Sequence, residues 1–137
     1  MGHPLRTALT VPPMPEAGAA EVEAAREEIR REILRVHDEA YGSGAWNMDV
    51  HILDDTVLLL IDVDLSRSER TLVDADQPDA VKGMREAFQV AIEPTFTAII
   101  ERATGRRVRS FHSSMSMDPI YSIELFRLEP QGLSDPD

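Results

Sequence analysis

The sequence contains no cysteine, which excludes disulfide stapling, thiolate zinc sites and thiol catalysis together. It also lacks any long apolar run. The longest, Thr56 to Ile61, is far below the ~20 residues that cross a bilayer, so the chain reads as soluble. The stretch after Met1 is broken by Pro12, Pro13 and Pro15 where a signal peptide would need a continuous apolar segment, so the expected location is cytoplasmic. Cationic charge is scarce: Lys+Arg 14 against Asp+Glu 25 gives a net charge of −11 at pH 7. A nucleic acid held by phosphate neutralisation is therefore excluded as a partner. What remains is ordinary globular composition, 42% hydrophobic and 28% charged over 137 residues, enough for one compact core.

Residues 1–18 are rich in Pro, Ala and Gly, and residues 129–137 are polar and acidic, so both read as disordered tails around a single domain at 19–128. Within it, Val22, Ala25, Ile29, Ile33, Val36 and Ala40 recur at steps of three and four, which predicts an amphipathic helix ended by Gly42. Trp46, Met48, Val50 and Ile52 then alternate with polar residues as one face of a strand, and Leu53 to Thr56 offers a turn. The next run, Val57 to Leu65, is apolar on both faces at its start, because Leu58 and Leu60 oppose Val57 and Leu59. A strand of that kind is central, or lies on a face covered by another subunit, and the chain is expected to form a homodimer.

Ser66 and Glu69 stand at capping-box spacing and predict a short helix through Leu72 and Val73. Asp76-Gln77-Pro78 opens a longer helix whose stripe is Val81, Met84, Phe88, Ile92, Phe96, Ile99 and Ala103, read here as core, with Pro94 inside it and Gly105 as its cap. Arg107 to Met115 and Ile120 to Leu128 form a second hairpin about Asp118-Pro119, with Phe111 and Met115 on one face of its first strand and Val108 and His112 on the other. Helix, glycine and hairpin occur twice in the same order, which suggests a duplicated α-β-β unit. The expected fold is two-layer α+β: a mainly antiparallel sheet of about four strands with helices on one face.

Two groups of side chains carry potential chemistry. Arg102, Arg106, Arg107 and Arg109 crowd one helix end and the next strand, where guanidinium forks suit an anion or an acidic partner surface, although a helix C-terminus favours cations without any ligand. His51 and His112 lie in the two hairpins, with Asp49 on the same strand face as His51. If those strands adjoin, the three form an acid–base pair or a metal site. No base stands at a recognisable spacing from Ser110, Ser113, Ser114 or Ser116, so none reads as a nucleophile, and Asp62 and Asp64 read as a solvated strand end. No catalytic set, cofactor or metal motif is recognised.

Several separated segments resemble the MpsC-like domain family: the Gly42-Ser43-Gly44 loop, Asp54 to Leu72 with its Leu65-Ser66-Arg67-Ser68-Glu69 helix start, Met84 to Phe88, and Thr104 to Asp118 with its Thr-Gly-Arg-Arg-Val beginning. The similarity runs over about residues 25–128. Ala45-Trp46 stand where family members commonly place a proline, and Ser66 where threonine is frequent; serine keeps the capping chemistry. The resemblance implies a non-enzymatic accessory or regulatory domain associated with a membrane cation or inorganic-carbon transport system. With no span of its own, such a domain would lie at the membrane through transporter subunits as partners. The competing expectations are a self-assembling interaction module and a small metal-binding protein or enzyme using His51, His112 and Asp49.

Overall fold

A computed structural model describes residues 16–42 and 44–130, with side chains from residue 18 onward. The expected tails at 1–15 and 131–137 lie outside the described residues. Helix α1 (Glu16–Tyr41) leads into β1 (Ala45–Leu53) and β2 (Thr56–Val63). A short helix α2 (Arg67–Asp74) then precedes α3 (Pro78–Thr104), β3 (Val108–Met117) and β4 (Ile120–Leu128). The four strands form one antiparallel sheet in the order β1-β2-β4-β3. The fold is the expected α+β arrangement, with helices packed against the sheet.

The period-two pattern decides which face the helices cover. Val57, Leu59, Ile61 and Val63 of β2 join Met48 and Val50 of β1, and Phe126 and Leu128 of β4, beneath Ile29 and Ile33 of α1 and Phe96 and Ile100 of α3. Burying aliphatic side chains of this size contributes about 1.5–3 kcal/mol each. Pro94 sits within α3 without ending it, and the helix stops at Gly105, whose φ of 70° places it in the left-handed region.

The duplication is visible in geometry. Gly42 and Gly105, both at positive φ, end α1 and α3 at an offset of 63 residues (105 − 42). The same offset carries Ala45 to Val108, the starts of β1 and β3, and superposes the helix stripes: Ile29 on Ile92, Ile33 on Phe96, Val36 on Ile99 and Ala40 on Ala103. Each edge strand also has a register irregularity two residues from its start, between Ala45 and Asn47 and between Val108 and Ser110. The second hairpin is one residue longer in each arm, 10 and 9 residues against 9 and 8. With β2 and β4 antiparallel at the centre, the two units have the arrangement that a two-fold axis between those strands would generate.

The irregularities correct two sequence expectations. An extra residue in a strand reverses the alternation beyond it. Trp46, expected to share a face with Met48, is 66% exposed, and Val108, expected on the face opposite Phe111 and Met115, packs with them against the core.

Candidate functional site

A groove of about 690 Å³ opens where the end of α1, the start of β1, α2 and the first turns of α3 meet. Gly44 allows that convergence: its carbonyl accepts from the Asp64 N–H at 2.8 Å, its φ is +115°, and a Cβ there would stand 3.0 Å from the Asp64 carbonyl oxygen. Four large side chains exposed to solvent line the groove: Trp46, Leu72 (39%), Met84 (41%) and Phe88 (40%). Met84 and Phe88 therefore are not core, which corrects the reading of the α3 stripe; its Phe96 and Ile99 are buried as expected. In the first half of α3 the inward positions belong to Val81, Arg85 and Gln89, and the apolar residues beside them turn to the groove.

The groove floor is ionic. Arg85 donates from Nε to Glu69 Oε2 at 2.8 Å and from Nη2 to Glu69 Oε1 at 2.9 Å, and both side chains are almost fully buried. Glu69 also closes the capping box of α2, accepting from the Ser66 N–H at 2.8 Å while Ser66 Oγ accepts from the Glu69 N–H. The Arg85 hydrogen bonds hold the Glu69 carboxyl below its usual range against the opposing effect of burial. The guanidinium lies 4.6 Å from the centre of the Tyr41 ring, a cation–π contact. A two-pronged pair of this kind fixes α2 against α3, and removing either partner would strand a buried charge.

From this pair a polar chain continues inward. The Tyr41 hydroxyl donates to Gln89 Oε1 at 2.9 Å, and Gln89 Nε2 donates to Glu124 Oε2. Burial raises the Tyr41 hydroxyl to about 12, outweighing the lowering effect of Arg85. Glu124 is wholly buried on the inner face of β4, paired across the sheet with Leu59 and Ser113. Burial pushes its carboxyl up to about 8, against the lowering influence of Ser113, Ser122 and Gln89, so the group is protonated at neutral pH. His37 of α1, packed on Tyr41, is driven down to about 4, first by burial and then by the Arg85 charge, and stays neutral. Glu124 Oε1, Ser113 Oγ, Ser122 Oγ and His37 Nδ1 are buried without a hydrogen-bond partner. His37, Gln89 and Ser122 also line a small pocket of about 10 Å³, close to the space one water occupies.

The arginine candidates separate. Arg106 is absorbed into the fold, donating to the Asp54 and Glu129 carbonyls and to Asp55, so it ties the β1–β2 turn to the end of β4. Arg102 approaches Glu28 of α1 at 3.6 Å and lines a second depression with Gly18, Ile52 and Leu128, where the first turns of α1 meet the end of β4. Arg107 and Arg109 are exposed and make no ion pair among the described residues.

The histidines are not brought together. His51 is on β1 and His112 on β3, the two edge strands, in one cross-sheet row that reads His51, Leu58, Leu125, His112. Three strand spacings, roughly 14 Å, divide them. The condition for a shared site, adjoining strands, is not met, because the second hairpin joins the sheet through β4. No group of three or more histidine or acidic side chains able to hold a metal ion occurs among the described residues.

Sequence reasoning missed Tyr41, Arg85, Gln89 and Glu124. The signal for Glu124 was present: it shares the alternation of Phe126 and Leu128, so a strand that buries those two buries it as well. Arg85 and Gln89, four apart on α3, carried no such signal because arginine and glutamine at helical spacing read as a solvated face.

No helix among the described residues is long and apolar enough to cross a membrane. No curated protein and no solved structure matches the chain. A family model described as the Na+-translocating membrane potential-generating system (MpsC) matches residues 21–130, from the early turns of α1 to just past β4. With that match spanning all four strands and the groove between them and the helices, the chain belongs to the MpsC family.

Proposed function

We propose that this domain is a non-enzymatic accessory or regulatory module of a membrane cation or inorganic-carbon transport system, cytoplasmic and held at the membrane through a partner subunit. The observation that carries this reading is the convergence of Trp46, Leu72, Met84 and Phe88 on one groove, since exposed apolar side chains gathered in a concavity mark a docking site. The occupant that fits is an apolar segment bearing Lys or Arg. Asp64 at the rim has no ion-pair partner among the described residues, and the chain carries a net charge of −11. Segments flanking membrane spans on the cytoplasmic side are enriched in those cations. The family description supplies the link to a membrane system. The module acts as a homodimer, with the open face of the sheet as the contact.

A crosslinked pull-down of the tagged protein from its own cells, with membranes solubilised, tests this. Integral-membrane transport subunits should be recovered above an untagged control and lost with Phe88→Asp. Recovery of no such subunit by the wild-type chain overturns the transport role.

A further inference from the structure

The face of the sheet away from the helices carries an apolar centre and a polar margin. Its two middle rows read His51, Leu58, Leu125, His112 and Asp49, Leu60, Ile123, Ser114 across β1, β2, β4 and β3. Four aliphatic side chains thus occupy the central strands, where an antiparallel sheet facing water would place polar ones. No described element covers them. Beyond these rows, Arg127 lies on β4 towards one end, and Tyr121 of β4 with Asp62 of β2 towards the other.

We propose that this face binds the same face of a second copy, about a two-fold axis lying in the interface and perpendicular to the strands. The proposal deepens the homodimer of the reading above by fixing its surface and symmetry. The argument is self-complementarity. An axis perpendicular to the strands lays each strand over its own copy and exchanges the rows, so that the two middle rows face each other. Leu58 then meets Leu60 of the partner subunit and Leu125 meets Ile123 of the partner subunit, closing the apolar centre on itself. On β1, His51 meets Asp49 of the partner subunit. On β4, Arg127 meets Tyr121 of the partner subunit, over whose ring a guanidinium is favoured. No like charges are opposed.

The other face-to-face two-fold, with its axis along the strands, lays β1 over β3. It sets His51 against His112 of the partner subunit, Asp49 against Ser114 of the partner subunit and Arg127 against Thr56 of the partner subunit, losing both the imidazole–carboxylate and the guanidinium–ring pairing, so those two pairings select the first. Four strands about 4.8 Å apart, with about eight residues rising ~3.3 Å each, present roughly 500 Å². Two such faces, roughened by side chains, bury on the order of 1,200 Å², the lower edge of what stable interfaces bury. An apolar core with a polar rim is the anatomy such interfaces show.

The absence of cysteine makes the test direct. Single-cysteine variants of the full chain are mixed in pairs and treated with a short bis-maleimide. One member of each pair is enlarged by a tag so that only the mixed dimer is scored: His112→Cys with Ser114→Cys should give a crosslinked mixed dimer in high yield, whereas Ser114→Cys with Asp49→Cys should not. In sedimentation the wild-type chain should be dimeric, and Leu60→Asp should raise the dissociation constant by about 30-fold or more, with far-UV circular dichroism checking that it folds. A wild-type monomer at high micromolar concentration overturns this interface and the homodimer together. A dimer that crosslinks only through the Ser114 and Asp49 positions, or through neither pair, overturns this interface alone, and the transport role stands or falls separately on the pull-down.

Discussion

A carboxyl group sealed from solvent must find a cation or keep its proton, and Glu124 keeps its proton. Its carboxyl rises from an ordinary 4.5 to about 8, so between those values the unfolded chain releases a proton that the folded one retains. Stability falls as pH rises through that window, by up to about 1.4 kcal/mol per pH unit. His37 has the opposite slope. Depressed from 6.5 to about 4, it refuses a proton that the unfolded chain accepts, so its contribution is lost as pH falls through that range. The two slopes cancel between about 4.5 and 6.5, and Glu124 acts alone from there to about 8. Glu124→Gln is therefore expected to abolish the loss of stability between pH 6.5 and 8 and to uncover a rise with pH below 6.5. Urea denaturation of both proteins across the series reads this directly, and a wild-type curve no steeper than the variant's above pH 6.5 would show the carboxyl ionised in the fold. At this scale the sequence was least legible. Met84 and Phe88 followed the apolar spacing yet face the groove, because the neighbouring inward positions went to Arg85 and Gln89, whose partners Glu69 and Glu124 lie 16 and 35 residues away in the chain.

Short elements depend on their ends, and α2 has only eight residues. Its capping box was legible because the chemistry is local: Ser66 and Glu69 satisfy each other's backbone N–H groups whatever the rest of the chain does. Ser66→Ala should cost about 1 kcal/mol, seen as a lower urea midpoint at unchanged slope. Faster hydrogen exchange should be confined to the α2 amides, since the Arg85 pair still holds Glu69 in place. The helices and both hairpins were legible for the same local reason, from periodicity, glycine caps and turn residues. The register irregularities at Ala45 and Val108 were not, because neither position differs in composition from an ordinary strand start, and one unseen residue turned Trp46 from the face of Met48 to the groove. The order of the strands was equally hidden. Each hairpin is written in its own sequence, but the β2–β4 pairing that joins them is a contact between residues 59 to 71 apart, and on it depended whether His51 and His112 could meet.

At the scale of the molecule, repetition and chain path have a joint consequence. Gly18, near the start of α1, and Leu128, the last residue of β4, line the same depression, so the last strand returns to the start of the first helix. Its two α-β-β units are joined in sequence through α2 but held in space by β2 and β4. The connectivity is then one of two ways of threading the same object. A circular permutant with a short linker joining Pro130 to Glu16, opened between Asp74 and Pro78, would run α3, β3, β4, α1, β1, β2, α2. It is expected to reach the same sheet, with the wild-type far-UV spectrum and the same fluorescence maximum from its single tryptophan, Trp46. What this chain inherits from its doubled plan is a structure indifferent to which half is made first.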